Sequence, residues 1–167
     1  MRPNIRPAVI GDEALLADLN GFVQQFHLAS RPDHFRPTRS AELATWYRSL
    51  LEKQTTRVWI AEEDGLPVGY LAAILHEARG NPFVHARRWC EIDQIAVDPS
   101  RRRRGIARSL ILSAVSWARA EGIDQIEATS WSFNNAAHEV FQRLGFVPKT
   151  TRFELKSRAV ALVALLF

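Results

Sequence analysis

The chain has 167 residues, of which 47% are hydrophobic and 24% charged, values typical of one globular domain. Its net charge of +4 equals the contribution of one run of four arginines, 101–104. The longest apolar run, 159–167, is too short to cross a bilayer, which takes about 20 residues, and the N-terminus lacks the apolar core of a signal peptide. A single cysteine, Cys90, excludes an intrachain disulfide framework and a cysteine-based zinc cage. We therefore predict a cytoplasmic protein without a membrane partner.

The first third of the chain predicts a strand and two helices. Residues 5–9 predict a short edge strand, a position where Pro7 is tolerated. After Asp12, apolar residues recur at helical spacing and predict a first helix. The segment 31–38 contains two prolines and predicts a loop, and Ser40 is a suitable N-cap for a second helix.

The rest of the chain alternates between strands and helices. Residues 57–63 and 68–77 predict two strands joined by a turn at Asp64-Gly65, and the polar stretch 78–88 predicts a loop. The remaining predicted elements are strands at 89–97, 125–130 and 146–156 and helices at 104–121 and 135–144. The hairpin implies antiparallel pairs, whereas a strand, a helix and a strand in succession imply a parallel pair with a right-handed crossover.

These elements predict one α/β (α+β) domain over residues 1–167, with a mixed central sheet of six or seven strands flanked by helices. The strand at 146–156 completes this domain, yet the apolar tail 157–167 follows it. Because an exposed apolar segment promotes aggregation, we expect the tail to be buried, either as a further strand of the sheet or across a dimer interface.

The arginine run lies where a strand is predicted to end and a helix to begin. The strand ends at Asp98-Pro99 and the helix begins near Gly105, so the first N–H groups of the helix and its dipole would form an anion site. Gly105 lets a ligand approach the backbone closely, and arginine side chains add charge for phosphate oxygens. The glycine patterns of the P-loop and of dinucleotide-binding folds are both missing. A solvated basic turn and a nucleic-acid-binding surface remain alternatives at this point.

Two motifs, one in this loop and one in the last predicted helix, point to a known family. Arg102, Gly105 and Ala107 follow the pattern Gln or Arg, two residues, Gly, one residue, then Gly or Ala. The segment 134–146 matches a second pattern at Asn134, Ala137, Gly145 and Phe146. Together with the order of the elements, these motifs resemble the GNAT superfamily of acetyl-CoA-dependent N-acetyltransferases over nearly the whole chain.

The resemblance implies that acetyl-CoA lies in a gap between the strands 89–97 and 125–130. The backbone of Ile95 and Val97 would pair with the pantetheine arm as an added strand does, and the amides of 103–108 would hold the pyrophosphate. The implied acetyl-CoA-binding residues are Ile95, Ala96, Val97, Arg102, Arg103, Arg104, Gly105, Ile106, Ala107, Arg108, Asn134 and Phe141.

Transfer to an amine requires a general base, because a lysine-like amine with a pKa near 10.4 is protonated at neutral pH. Glu91 is the first candidate, since several members of the family keep a catalytic glutamate at this place on the strand. Asp93 is the second candidate, because residues 91, 93 and 95 share one face of a regular strand. Structural ion pairs with nearby arginines are the alternative role for both carboxylates.

The chain departs from the family at Phe141, where many members have a tyrosine that can protonate the leaving thiolate. Phenylalanine has no proton to give, so water, Ser130 or Ser132 would act instead, or no acid is needed. This departure keeps open the alternative of an acyl-CoA-binding protein without catalysis. Cys90 is expected to be buried and inert on the face opposite Glu91.

The five histidines show no metal-ligand spacing, and we predict no metal site. His27, Asp33 and His34 lie in or beside the loop that lines the acceptor site in the family, and they are the candidate substrate-binding residues. The predicted function is acetyl transfer from acetyl-CoA to a primary amine by direct attack in a ternary complex. The amine itself stays open, a homodimer is an option, and a nucleic-acid-binding module is disfavoured because only the arginine run supports it.

Overall fold

Five strands and four α-helices are present in the computed structural model, which describes residues 3–156. In chain order they are β1 (Asn4–Pro7), α1 (Glu13–Ser30), α2 (Ser40–Leu51), β2 (Thr56–Glu63), β3 (Leu66–Ala78), β4 (Arg87–Val97), α3 (Ile106–Ala120), β5 (Ile126–Ala128) and α4 (Asn135–Arg143). A short 3₁₀ turn, Pro99–Arg101, lies between β4 and α3.

The strands follow the order β1-β2-β3-β4-β5 in one sheet. The first three pairings are antiparallel and the pairing of β4 with β5 is parallel, so the predicted mixed sheet is confirmed. Helix α3 makes the crossover between the two parallel strands. The α/β class with flanking helices is confirmed as well.

Each face of the sheet has its own apolar core. On one face α3 and α4 pack on the sheet, and the fully buried members of that core include Leu71, Cys90, Leu110 and Ala114. On the other face α1 and α2 pack on the sheet, with Leu16, Tyr47, Ile60 and Tyr70 fully buried. Full burial of one such aliphatic side chain stabilises the fold by about 1.5–3 kcal/mol. The two cores hold β4 from both sides.

Strand β4 contains an irregularity that changes which residues share a face. Its pairing with β3 jumps from Ile92 to Gln94, so Asp93 is an extra residue without a partner in the ladder. Cys90 and Ile92 pack in the core of α3 and α4, and beyond the bulge Ile95 packs there. The expectation that 91, 93 and 95 share one face is therefore wrong, because the bulge breaks the alternation of a regular strand.

The predicted strand at 146–156 is also wrong, which is why residues 3–156 contain five strands rather than six or seven. Residues 147–156 are exposed, and their apolar side chains lie in solvent. Strand β5, the edge that would receive them, is only three residues long, and Pro148 has no N–H to donate to a ladder. The tail 157–167 lies outside the described residues.

None of the helices within residues 3–156 has the length and apolar character needed to cross a membrane.

Candidate active site

A cleft opens where β4 and β5 separate. The two strands pair from Cys90 with Ile126 to Ile92 with Ala128 and part beyond that point. The cavity between them has a volume of about 370 Å³. Its lining comes from α1, the loop before α2, the bulged part of β4, the segment after β5, and α4: Asn20, Val23, Gln24, His27, Phe35, Glu91, Ile92, Asp93, Gln94, Ile95, Thr129, Ser130, Trp131, Asn134, Ala137 and Phe141.

The end of β4 presents free backbone groups to this cleft. The Asp98 N–H donates to the Val68 carbonyl oxygen at 2.8 Å, on the side of β3. Because N–H groups alternate along a strand, those of Ile95 and Val97 point to the opposite side. Before the bulge the order is reversed, since the Cys90 N–H donates to Gln125 on the side of β5. The bulge thus places two N–H groups at the edge of β4 that β5 has left.

The loop between β4 and α3 gathers a second set of free N–H groups. The Asp98 carboxylate accepts from the Ser100 N–H at 2.8 Å and fixes the start of the loop. Arg103 and Gly105 both have positive φ, +64° and +82°, which turns the chain tightly into α3. Within residues 3–156, the backbone N–H groups of 102–108 donate to no protein acceptor. Free N–H groups at the N-terminus of a helix favour an anion, and the anion site at this loop stays a prediction.

The arginines of the run face different partners. Arg101 and Arg104 each approach Glu63 of β2 at 3.5 Å, and the Glu63 side chain is only 9% exposed. Arg102, Arg103 and Arg108 make no ion pair with the described part of the chain. Two arginines therefore hold the loop against the sheet, and the others are left for an anion. The Ile106 side chain is buried in the core, so only its backbone can contact a ligand.

Glu91 lies on the wall of the cleft with two polar neighbours. The Thr129 hydroxyl donates to Glu91 Oε1 at 2.9 Å, and His76 Nε2 lies 3.2 Å from Oε2. The His76 ring stacks on Trp89 with centroids 4.9 Å apart. No sequence pattern indicated His76 or Thr129, because β3 and the segment after β5 meet β4 only through the sheet pairing. Glu91 is thus oriented and open to the cleft.

The second carboxylate, Asp93, has an unusual environment. The residue is exposed, but nearby protein atoms partly desolvate its carboxylate and raise its pKa, and the negative charge of Glu91 raises the pKa further. The neighbouring Gln94 side chain lowers it in part. Gln94 Oε1 accepts from the hydroxyls of Tyr47 at 2.8 Å and Tyr70 at 2.7 Å, which fixes the amide. This buried network of hydrogen bonds supports the bulge from the side of α1 and α2.

Three other residues of the prediction lie at the end of the cleft formed by α4. The Asn134 side chain caps α4 by accepting from the Ala137 N–H at 3.2 Å, and Phe141 is buried against Phe146. Ser130 Oγ is buried in the cleft wall without a hydrogen-bond partner within residues 3–156. Cys90 is buried, as expected, and burial raises the pKa of its thiol to about 11.

The three candidate substrate residues separate. His27 lines the cleft, and burial lowers its pKa, so its ring is neutral at neutral pH. His34 stands at the rim with its ring 4.7 Å from that of Trp131. The Asp33 carboxylate forms ion pairs with Arg31 at 2.8 Å and Lys156 at 2.6 Å, and these pairs lower its pKa. Of the three, only His27 lines the cleft directly.

Comparison with known proteins finds a matching family model and similar sequences. Residues 22–146 match the family model described as the acetyltransferase (GNAT) family. A protein of Methanocaldococcus jannaschii named "Uncharacterized N-acetyltransferase MJ1207" is 30% identical over 133 residues, 79% of this chain and 58% of that protein. The chain also spans 58% of human N-acetyltransferase 8, so it corresponds to about three fifths of the length of these relatives.

Solved structures have the same fold. A tetramutant of the BH1408 protein from Bacillus halodurans has a TM-score of 0.86 at 25% identity, over 92% of this chain and 99% of that one. The aminoglycoside N-acetyltransferase AAC(6')-Iy, solved in complex with CoA, has a TM-score of 0.75 over 94% and 95% of the two chains. Its identity of 20% makes this second likeness one of fold alone.

Proposed function

Because the chain belongs to the GNAT family of acetyltransferases, we propose that it transfers the acetyl group of acetyl-CoA to a primary amine by direct attack in a ternary complex. The observation that carries the proposal is the cleft between β4 and β5, which places two sets of free backbone N–H groups side by side. One set lies at the bulged end of β4 and the other at the start of α3.

Acetyl-CoA fits these two sets by its chemistry. Its pantetheine arm carries amide groups, which pair with the free edge at Ile95 and Val97 as an added strand. Its pyrophosphate takes the amides of 103–108, with Arg102 and Arg108 as uncommitted charges beside them. Membership of the GNAT acetyltransferase family supports the choice of this ligand. The thioester then lies at the bulge, near Glu91 and Phe141.

Glu91 acts as the general base in this proposal. The amine loses a proton to the Glu91 carboxylate, directly or through a water molecule, and attacks the thioester carbon. The Thr129 hydroxyl bond to Oε1 holds the carboxylate in place. Asp93 is the second candidate, since its raised pKa makes its carboxylate a stronger base than an ordinary aspartate.

The collapse of the tetrahedral intermediate completes the transfer. The N–C bond has formed, the oxyanion restores the carbonyl group, and the C–S bond breaks to release the CoA thiolate. Phe141 has no proton for this thiolate. The nitrogen of the intermediate still carries one proton more than the amide does, and this proton passes to the thiolate directly or through a water molecule, so the CoA thiol and the amide leave neutral.

Calorimetric titration with acetyl-CoA tests the first half of the proposal. We expect saturable binding with a 1:1 stoichiometry, and absence of binding at millimolar ligand contradicts it. A thiol-release assay with a panel of primary amines tests the second half. Binding without release for any amine would instead favour an acyl-CoA-binding protein without catalysis, which the phenylalanine at position 141 keeps as the second candidate.

A further inference from the structure

One side of the cleft is a wall of aromatic rings contributed by three separate segments. His27 of α1, Phe35 of the loop before α2 and Trp131 after β5 all line the cavity. His27 and Phe35 stack with centroids 4.7 Å apart, and Phe35 meets Trp131 edge to face at 5.3 Å. Phe133 stacks on Trp131 at 5.8 Å, and the Arg31 guanidinium lies over the Trp131 ring at 5.5 Å from its centroid. Rings held half-buried in this way form a rigid apolar surface that favours another planar apolar group.

The acidic groups at the rim of the cleft are already neutralised. Asp33 bonds to Arg31 and Lys156, and Glu154 bonds to Arg31 at 3.0 Å. Glu42, in the adjoining pocket beside α2, pairs with Arg36. Within the described part of the chain, Glu91 and Asp93 are thus the carboxylates of the cleft without an Arg or Lys partner. Both line the same cleft, where carboxylates without an Arg or Lys partner suit an ammonium group.

A hydrogen bond between two distant segments brings the wall close to the carboxylates. The Thr129 hydroxyl bonds to Glu91, and Trp131 is two residues further on. Two residues span at most about 7 Å. The Glu91 carboxylate and the Trp131 ring therefore lie in the same part of the cleft, so one small amine with a ring on a short alkyl chain can contact both.

We propose that the acceptor is an aralkylamine, a primary amine two or three carbons from an aromatic ring. The amine would lie against Glu91 and Asp93, and its ring against the wall formed by His27, Phe35 and Trp131. This inference rests on the proposed function, since it names the substrate of the same site. A neutral His27 ring does not repel the incoming cation.

The same arrangement disfavours a polycationic acceptor such as an aminoglycoside. Each further ammonium group needs a carboxylate of its own to offset its desolvation. The rim acids are held by the protein's own arginines and lysine. This distinguishes the proposed substrate from the one in the name of the structural relative AAC(6')-Iy.

Three amines separate these classes when titrated into the protein saturated with CoA. They are 2-phenylethylamine, n-hexylamine and the aminoglycoside kanamycin. We expect 2-phenylethylamine to bind about tenfold more tightly than n-hexylamine, since ring contacts add to plain apolar burial. Kanamycin should bind no better than n-hexylamine. Equal binding of the two monoamines, or tightest binding of kanamycin, would overturn the inference.

Variants then assign the preference to the wall. Trp131→Leu and, separately, Phe35→Leu should each reduce the preference for the aromatic amine about threefold or more while acetyl-CoA affinity is unchanged. Phe83→Leu is the matched control, because Phe83 is 94% exposed and does not line the cleft. If both wall variants keep the full preference, the ring does not lie on this wall and the inference is wrong.

A thiol-release assay with acetyl-CoA and the same amines separates the two proposals. Aromatic preference in binding without any release would contradict the proposed acetyl transfer and leave the inference about the ligand intact. Release with equal efficiency for all three amines would support acetyl transfer and contradict the inference.

Discussion

The two sides of the cleft are built from different parts of the chain. On the side of the β4–α3 loop, one continuous segment offers backbone N–H groups, and its conformation depends on Gly105 and the Asp98 cap. On the aromatic side, side chains from α1, the loop before α2 and the segment after β5 meet in space. Backbone N–H groups are present whatever the side chains are, whereas a surface made of side chains changes with each substitution.

The largest effect is expected at Glu91, which lies between the two sides of the cleft. Glu91→Gln keeps the shape and removes the base, so kcat should fall about 100-fold or more, while acetyl-CoA affinity is unchanged. Thiol release and calorimetry measure the two quantities. Glu139→Gln, at an exposed ion pair on α4, is the control and should leave both unchanged. Full activity of Glu91→Gln would move the base to Asp93 or to water.

Two glycines at opposite ends of α3 test whether the backbone of the β4–α3 loop binds acetyl-CoA. Gly105 and Gly122 have φ of +82° and +70°, and at neither would a Cβ meet another atom within 4 Å. Alanine at either position costs about 1–2 kcal/mol of stability through backbone strain. Only Gly105→Ala changes the anion site, so acetyl-CoA affinity should fall about tenfold there and stay unchanged in Gly122→Ala. Equal affinities in a calorimetric titration would contradict a pyrophosphate site at this loop.

Glu63 tests whether buried pairing holds the arginine loop in place. Glu63→Gln removes the charge that Arg101 and Arg104 share, and we expect acetyl-CoA affinity to fall about threefold as the loop loosens. Glu62→Gln is the matched control, because Glu62, the neighbour of Glu63 on β2, pairs with Arg6 at 2.7 Å, away from the loop. An affinity that rises in Glu63→Gln would mean that the two arginines bind phosphate once they are released.

The sequence predicted the strand–loop–helix geometry between β4 and α3 because its determinants are local. A strand end, a glycine and the first turn of a helix stand within residues 97–107, and the structure has them in that order. The parallel pair and the two layers of helices followed from the alternation of elements. The bulge at Asp93 was missed because it arises from the pairing with β3. A regular alternation then gave the wrong face for Ile95.

The acceptor side was predicted only in part for the same physical reason. His27 was found because it precedes the loop before α2, but Trp131 and Phe35 meet only when three segments fold together. Asp33 was a plausible candidate by residue type, yet Arg31 and Lys156 occupy it. The strand expected at 146–156 failed because the three residues of β5 provide too little edge for a partner.

The smallest expected effect concerns stability at Asp93. Folding raises the pKa of its carboxyl group, so this group stabilises the fold fully below its unfolded pKa and loses that contribution as the pH rises through the folded value. Asp93→Asn cannot ionise and should raise Tm at pH 7 by roughly 1–3 °C, and the difference should vanish near about pH 3.

For Asp98, near the end of the same strand, we expect stability to change with pH in the opposite direction. The Ser100 bonds lower the pKa of its carboxyl group, so this group stabilises the fold above its unfolded pKa and loses that contribution as the pH falls through the folded value. Asp98→Asn should lower Tm at pH 7 and approach the parent protein in acid. Thermal unfolding of both variants from about pH 3 to 7 checks the pair. A rise in Tm for Asp93→Asn means that the bulge keeps a carboxylate at the cleft at a cost in stability, as a group held for its chemistry would be. A fall would mean that Asp93 serves the fold.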